Sequence, residues 1–155
     1  MTVLSIYEEL EEFLHSVLDE MYFESPSGQR VKINFYRQNL PPLLNEEDIN
    51  PIPYVLIKIL GGTFPQDYRG DKGKIRVLLT IGLMNTESGY TASRDVVGVI
   101  ERIRTKLLKV GYLKTFSLNS DIDFAMNEDD EYPYSFGGLD MTFRSVNIMR
   151  EDEYT

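Results

Sequence analysis

The sequence predicts an α+β fold, in which a mainly antiparallel sheet of four to six strands packs against two main helices. Two segments repeat apolar residues every three or four positions, which is typical of amphipathic helices. Between and after them, short apolar segments are separated by Gly- and Pro-rich connections, which is the pattern of strands and turns. The chain of 155 residues shows no internal repeat and no break in composition. We therefore predict a single α+β domain over residues 1–150 and a polar C-terminal tail at 151–155.

The first helix is predicted from Ile6 to Phe23, with Ser5 and Glu8 spaced as a capping box. The rest of its surface is expected to be occupied mostly by acidic residues, namely Glu8, Glu9, Glu11, Glu12, Asp19 and Glu20. The turn residues from Ser25 to Gly28 should stop it. The predicted buried stripe comprises Ile6, Leu10, Phe13, Leu14, Val17, Leu18 and Met21.

Three strands are predicted between the two helices. Residues 31–36 alternate between apolar and polar side chains, as a strand with one buried face does. Residues 54–60 are continuously apolar, which suits a central strand buried on both faces and ended by Gly61 and Gly62. Residues 74–85 form a third strand that pairs with the second as a hairpin. The connections 38–53, with a short helical turn at 44–49, and 63–73 are expected to be exposed and to become ordered on assembly.

The second helix is predicted from Ser93 to Val110, with Gly111 as the residue that follows its C-terminus. Two short strands should follow at 116–118 and 122–126. A final strand is expected from Leu139 to about Ile148, entered through Gly137 and Gly138, with a bulge near Ser145 and Val146. The predicted buried stripe of this helix comprises Val96, Val99, Ile100, Ile103, Leu107 and Val110.

Charge is distributed unevenly along the chain. The net charge of −9 divides into −7 for residues 1–24, +6 for residues 25–114 and −8 for residues 115–155. An overall excess of acid opposes binding to nucleic acid or to anionic lipid. No segment approaches the roughly 20 apolar residues that span a bilayer, and no secretion signal is apparent. Because the chain has no cysteine, disulfides, thiolate metal sites and cysteine nucleophiles are excluded.

No constellation of side chains predicts catalysis. His15 is the single histidine and is interpreted as structural. The acids from Asp121 to Glu131 lack the spacing of a calcium loop and are interpreted as a solvated acidic loop. A two-metal nuclease site built on Asp121, Asp123 and Glu101 is the remaining enzymatic alternative. We therefore expect no enzyme activity, no catalytic, cofactor-binding or metal site, and no cofactor.

Three stretches of the sequence are distinctive: Asn50 to Ile59, the strand-to-helix passage from Val77 to Ile103 with its Gly89-Tyr90 and Arg94-Asp95-Val96, and Tyr132 to Gly138. They resemble the small tail-terminator, or tail-completion, proteins of long-tailed bacteriophages and prophages. Together with the order of elements, the resemblance covers most of residues 1–150.

The resemblance implies a structural role in virion assembly. Members of that family are α+β proteins that form a hexameric ring on the head-proximal end of the tail tube, stop tube polymerisation and allow head joining. The implied partners are further copies of the chain, the tail-tube protein and a head-tail connector protein, with no membrane and no direct reading of nucleic acid. The implied location is the virion tail, assembled in the cytoplasm of the bacterial host. A head-tail connector or neck protein is the alternative assembly role, and a metal-dependent nuclease of a mobile element is the enzymatic one.

Ring formation suggests which residues meet a neighbour. Each subunit of a cyclic ring presents different surfaces to its two neighbours, so separate acidic and basic surfaces can pair at every contact. The alternative is that the basic residues form ordinary solvated faces. Those predicted to face acids of a neighbour or of a tail-tube subunit are Arg69, Lys72, Lys74 and Arg76 on the hairpin, or Arg102, Arg104 and Lys106 on the second helix.

Overall fold

Two helices and a largely antiparallel sheet of six strands make up the α+β fold of the computed structural model, which describes residues 3–42, 50–66, 73–87, 91–128 and 131–145. Strand order in the sheet is β3-β4-β5-β8-β6, and β7 also pairs with β8. The elements in chain order are α1 (Ser5–Leu18), β1 (Phe23–Glu24), β2 (Arg30–Val31), β3 (Asn34–Arg37), β4 (Tyr54–Thr63), β5 (Lys74–Met84), α2 (Thr91–Val110), β6 (Phe116–Leu118), β7 (Asp123–Met126) and β8 (Tyr134–Ser145).

The helix α1 is shorter than predicted at its C-terminus. It ends at Leu18 because Phe23 and Glu24 form β1, which pairs with β2 as a small antiparallel hairpin. Phe23 is buried there in the main core, so the apolar pattern continues past the end of the helix. The predicted capping box is wrong, since Leu4 is the N-cap residue and has no side-chain cap hydrogen bond.

The predicted first strand is divided in two. Val31 ends β2, and Asn34 begins β3, which runs parallel to β4 and is the one parallel pair among the described strands. Gln38 closes β3 with a positive φ of 65°. The Gln38 side-chain amide donates to the Ile59 carbonyl at 3.0 Å, and its Oε1 accepts from the Ile59 N–H at 2.9 Å. The side chain thus binds the backbone groups of β4 that a further residue of β3 would otherwise bind.

The β4–β5 hairpin confirms the predicted antiparallel pair, and β4 is buried on both faces from Tyr54 to Ile57. Gly61 and Gly62 do not end β4, which passes a bulge between Ile59 and Gly61 and continues to Thr63. A Cβ at Gly62 would collide with the Lys74 carbonyl, so this close approach of two backbones requires glycine.

The connection before β4 is less exposed than expected. Pro51, Ile52 and Pro53 are all buried, and Ile52 belongs to a second apolar cluster on the face of the sheet that carries no helix. That cluster explains why apolar residues occur in a proline-rich connection. The predicted helical turn at 44–49 lies outside the described residues.

The helix α2 starts at Thr91, two residues before the prediction, and its buried stripe is confirmed except at Val110. Val110 is 36% exposed, because it lies at the end of the helix beyond the core. Gly111 has a φ of 82° and donates its N–H to the Leu107 carbonyl at 2.7 Å, which confirms its C-terminal role.

The final strand starts earlier than predicted, at Tyr134, so Gly137 and Gly138 lie within it. A Cβ on Gly137 would lie 2.8 Å from Val96 of α2, so the absence of a side chain lets the helix pack on the sheet. The short strands β6 and β7 are confirmed and pair with successive parts of the same edge of β8. The predicted bulge involves Val146, outside the described residues, and β8 pairs regularly up to Ser145.

Both helices pack on one face of the sheet. Alternate residues of the central strands join the helical stripes in a single core cluster, and these strand residues are Val55, Ile57, Ile75, Val77, Leu79, Ile81, Leu83, Leu139, Met141 and Phe143. The opposite face carries the smaller cluster around Tyr54, Leu56 and Met84. One end of the open face is therefore apolar.

Candidate interaction surface

The structure describes two of the four cations predicted on the hairpin, Lys74 and Arg76. Arg69 and Lys72 lie outside the described residues. Lys74 is exposed at the start of β5, opposite Arg144 of β8, and none of the described acids forms an ion pair with it. Arg76 forms an ion pair within the chain, in which its guanidinium donates to both carboxylate oxygens of Asp140 on β8 at 3.1 and 2.6 Å.

The Arg76–Asp140 pair shifts the pKa of both groups. Hydrogen bonds from Arg76 hold the pKa of Asp140 below its usual value, and the same bonds raise the pKa of Arg76. Both side chains stay charged at neutral pH, so the pair neutralises this part of the open sheet face. Arg76 is therefore a poor candidate for the acids of a neighbour.

The three cations predicted on α2 point in different directions. Arg104 binds Glu101 of the same helix at 3.0 Å. Arg102, two residues before Arg104, lies on the opposite side of the helix and donates its Nε–H to the Val17 carbonyl near the end of α1 at 2.9 Å. Lys106 is exposed one helical turn after Arg102. The structure therefore brings together Arg102 and Lys106, and separates Arg104 from them.

Arg102 and Lys106 line an open groove of about 580 Å³ between α1 and α2. Lys109, which was not among the predicted interface residues, adds a third cation, and Glu101 adds one carboxylate. Such a surface favours an acidic partner. The complete lining comprises Ser16, Val17, Met21, Gly98, Glu101, Arg102, Thr105, Lys106 and Lys109.

The two outer edges of the sheet carry opposite charge. One is the outer side of β3 with the segment leading into it, here called the β3 edge, and residues 25–42 contain no Asp or Glu. Its exposed cations are Arg30, Lys32 and Arg37. The other is the outer side of β7 with its flanking residues, here called the β7 edge, and residues 115–143 contain no Lys or Arg. Its described exposed acids are Asp121, Asp123, Glu128 and Glu131.

The sequence showed that positive charge is concentrated in residues 25–114 and negative charge in the two end segments, but it did not identify either edge of the sheet. Each edge is defined by strand order, and β3 occupies one side of the sheet while β7 occupies the other. The charge pattern was the available signal. Arg37 is partly committed, because it binds Glu11 of α1 at 2.7 and 2.9 Å, and this hydrogen bonding raises the pKa of Arg37.

No metal cluster forms within the described residues, where no three His, Asp or Glu side chains share a possible metal site. Asp121, Asp123 and Glu101 are therefore not brought together as a two-metal site would require. His15 is exposed, lies 3.2 Å from Asp19 and meets the Phe35 ring edge-on at 4.6 Å between centroids.

The Tyr132–Pro133–Tyr134 turn joins the start of β8 to the end of β5. The Tyr132 hydroxyl donates to the Thr86 carbonyl at 2.7 Å, and the Asn85 N–H donates to the Pro133 carbonyl at 2.9 Å. Asn85 in turn donates to Asp95 of α2 at 3.0 Å. These bonds give the turn a structural role.

Across the described ranges, no helix combines the length and apolar character needed to cross a bilayer. No protein-family model matches the chain, and no curated protein sequence matches it at a significant level.

Proposed function

We propose that this protein is a structural component of phage tail assembly. It forms a ring, hexameric in the family that the sequence resembles, which caps the head-proximal end of the tail tube, stops tube polymerisation and offers a surface for head joining. Its partners are further copies of itself, the tail-tube protein and a head-tail connector protein. Assembly takes place in the host cytoplasm, and the ring becomes part of the virion tail.

The observation that carries this proposal is the placement of a basic edge and an acidic edge on opposite sides of one sheet. A ring with cyclic symmetry needs two different, complementary surfaces on each subunit, because every contact joins the left side of one copy to the right side of the next. The α+β fold also agrees with the architecture that the resemblance implies.

Ring formation is tested on the purified protein by light scattering and negative-stain electron microscopy. We expect a single oligomer of ring shape, with six subunits, that binds the end of purified tail tubes and shortens tubes when it is present during polymerisation. A protein that stays monomeric and leaves tube length unchanged would contradict the proposal. Rings that ignore tubes but bind connector proteins would instead support the neck role.

A further inference from the structure

We infer that neighbouring copies in the proposed ring join through their sheets, with β7 of one copy pairing antiparallel to β3 of the next. This inference rests on the proposed ring and names the surface that builds it. It is carried by the open backbone groups of the two edges, their position in the sheet, their side chains and their charges.

The outward-facing backbone groups of both strands are open. The Asn127 N–H points to β8, where it donates to the Phe136 carbonyl at 3.0 Å. Since backbone groups alternate in direction along a strand, those of Phe124 and Met126 point away from β8. They have no hydrogen-bond partner within the part of the chain that the structure describes.

The same argument applies to β3. The Asn34 and Gln38 N–H groups point to β4, where they donate to Pro53 and Ile57 carbonyls at 2.9 and 2.7 Å. The backbone groups of Phe35 and Arg37 therefore point outward. Of these four outward-pointing groups, only the Arg37 carbonyl has a hydrogen-bond partner among the described residues, the Asn39 N–H at 2.7 Å. A carbonyl oxygen can accept a second hydrogen bond, so this group is still able to bind a neighbour.

The two open edges occupy the same rows of the sheet. Following the register across the strands, Phe124 of β7 lies in the row of Leu139, Leu79, Ile57 and Arg37. Met126 lies in the row that ends at Phe35. A neighbour placed beside this sheet without a shift along the strands therefore sets Phe124 opposite Arg37 and Met126 opposite Phe35.

Strand direction makes this pairing self-consistent. β3 runs with β4 and β8 and against β5 and β7, so β7 and the β3 of a neighbour with the same orientation are antiparallel. Residues whose backbone groups point outward then lie directly opposite one another, as hydrogen-bonded antiparallel pairs require. This register involves no shift along the strands, as a closed ring requires, since a constant shift at each contact would generate a helix.

The side chains of these rows also suit one another. Phe124 is 63% exposed, which leaves a large apolar surface uncovered at the β7 edge. Both Phe124 and Arg37 are on the helix-bearing side of the sheet, because their rows contain the core residues Leu79 and Ile57. The neighbour's Arg37, whose guanidinium already lies 5.6 Å from the Tyr7 ring centroid, would cover the Phe124 ring with its apolar stem.

The flanking charges favour the same partner. In the antiparallel arrangement the end of β7, which Glu128 and Glu131 follow in the sequence, lies beside the start of the neighbour's β3, which Arg30 and Lys32 precede. Opposite charges on the two partners favour this contact, whereas two β3 edges or two β7 edges repel each other. The occupant of each edge is therefore a second copy of the chain in a head-to-tail arrangement.

Engineered disulfides test this register, and the absence of native cysteine makes the test free of background. In the proposed contact, Ala125 of one copy lies opposite Tyr36 of the next, between the hydrogen-bonded pairs Phe124–Arg37 and Met126–Phe35. Residues of such a non-hydrogen-bonded pair have a Cα separation of about 4.5 Å, which suits a disulfide. Within one chain, three strands lie between them, a distance of roughly 19 Å, so a disulfide must join two copies. The double variant Tyr36→Cys/Ala125→Cys should give a ladder of covalent oligomers, up to the closed ring, on a non-reducing gel.

The matched control is Tyr36→Cys/Asp123→Cys, which moves one cysteine two residues along the same face of β7. We expect it to cross-link at least about tenfold more slowly, because the sulfur atoms are then too far apart. Wild-type rings in the microscope together with no ladder would overturn the edge contact and leave the ring proposal intact. Disulfide dimers of either single variant would indicate a symmetric contact and also overturn it. A protein that is monomeric by light scattering and forms no ladder would overturn both.

Discussion

At the scale of single residues, Gly82 lies in β5 where the structure leaves no room for a side chain. A Cβ there would collide with the ring of Tyr54, which is 5% exposed and meets the Tyr36 ring at 6.4 Å between centroids. The Tyr54 ring of the apolar cluster on the open face can therefore pack directly on the backbone of Gly82 only because this residue has no side chain. Burial in this cluster also raises the pKa of Tyr54.

Gly82→Ala should destabilise the protein by about 1–3 kcal/mol, as overpacking of a filled core does. The matched control is Gly98→Ala in α2, where a Cβ meets nothing within 4 Å. That change should stabilise the protein by about 0.5–1 kcal/mol, because alanine loses less backbone entropy in a helix. Urea unfolding of the two variants measures both effects, and a Gly82→Ala variant as stable as Gly98→Ala would contradict this account of the site.

Glu9 shows what sequence reasoning cannot reach at this scale. The sequence placed it on the exposed surface with the other acids of α1, but it is 9% exposed and accepts hydrogen bonds from both the backbone N–H and the hydroxyl of Thr115. A buried carboxylate requires such partners. Because Thr115 is 106 positions away, no local pattern reveals the contact.

At the scale of elements, the β5–β8 pair is the longest in the sheet, with eleven residues of β5 in register with β8. Arg76 and Asp140 join the two strands on the open face, where 58% and 30% of their side chains are exposed. Their contribution depends on pH, because Asp140 must be ionised to accept both hydrogen bonds from Arg76.

Asp140→Asn should remove this pH-dependent contribution. The folded state lowers the pKa of Asp140, so its stabilising effect is complete above the unfolded pKa, near 4, and is lost as the pH falls through the lower folded value. The difference in free energy of unfolding between wild type and variant should be constant from pH 7 to about pH 5 and shrink at lower pH. In an Arg76→Gln background, the effect of Asp140→Asn should lose that pH dependence. A difference that grows on acidification would contradict the pairing.

The sequence predicted elements better than their partners. The apolar patterns located both helices and the longer strands, because burial of one or both faces of an element dictates those patterns. It joined β2 and β3 into one strand and did not reveal that β3 runs parallel to β4, since alternation records which face is buried and not the neighbouring strand. The edges of the sheet depend on strand order, so the candidate interaction surface emerged only from the fold.

At the scale of the whole molecule, the charge division of −7, +6 and −8 is partly neutralised within one chain. Arg37 joins the basic third to Glu11 of the acidic N-terminal third, and Arg76 joins it to Asp140 of the acidic C-terminal third. Among the described residues, the charges outside these two pairs include Lys32 at the β3 edge and Glu128 and Glu131 at the β7 edge, all of which are exposed.

Charge exchange between the two edges offers a test that also reports the symmetry of the assembly. The variant Arg30→Glu/Lys32→Glu makes both edges acidic. The variant Asp121→Lys/Asp123→Lys/Glu128→Lys/Glu131→Lys makes both edges basic, because residues 115–143 then hold four lysines and three acids. Each variant alone should assemble less than wild type at low salt, because like charges then meet at every contact, and the loss should diminish at high salt, where the Debye length falls to about 3 Å at 1 M.

An equimolar mixture of the two variants should recover assembly, because an acidic edge then meets a basic edge wherever the two kinds of chain alternate around a head-to-tail ring. Alternation closes without a mismatch only when the number of subunits is even, so a hexamer permits complete recovery, while a ring of odd number keeps one repulsive contact. Light scattering of each variant and of the mixture, with native mass spectrometry to count the two chains, measures the result. Equal numbers of both chains in a six-membered ring are expected. A mixture that assembles no better than its separate components would show that these edges do not meet.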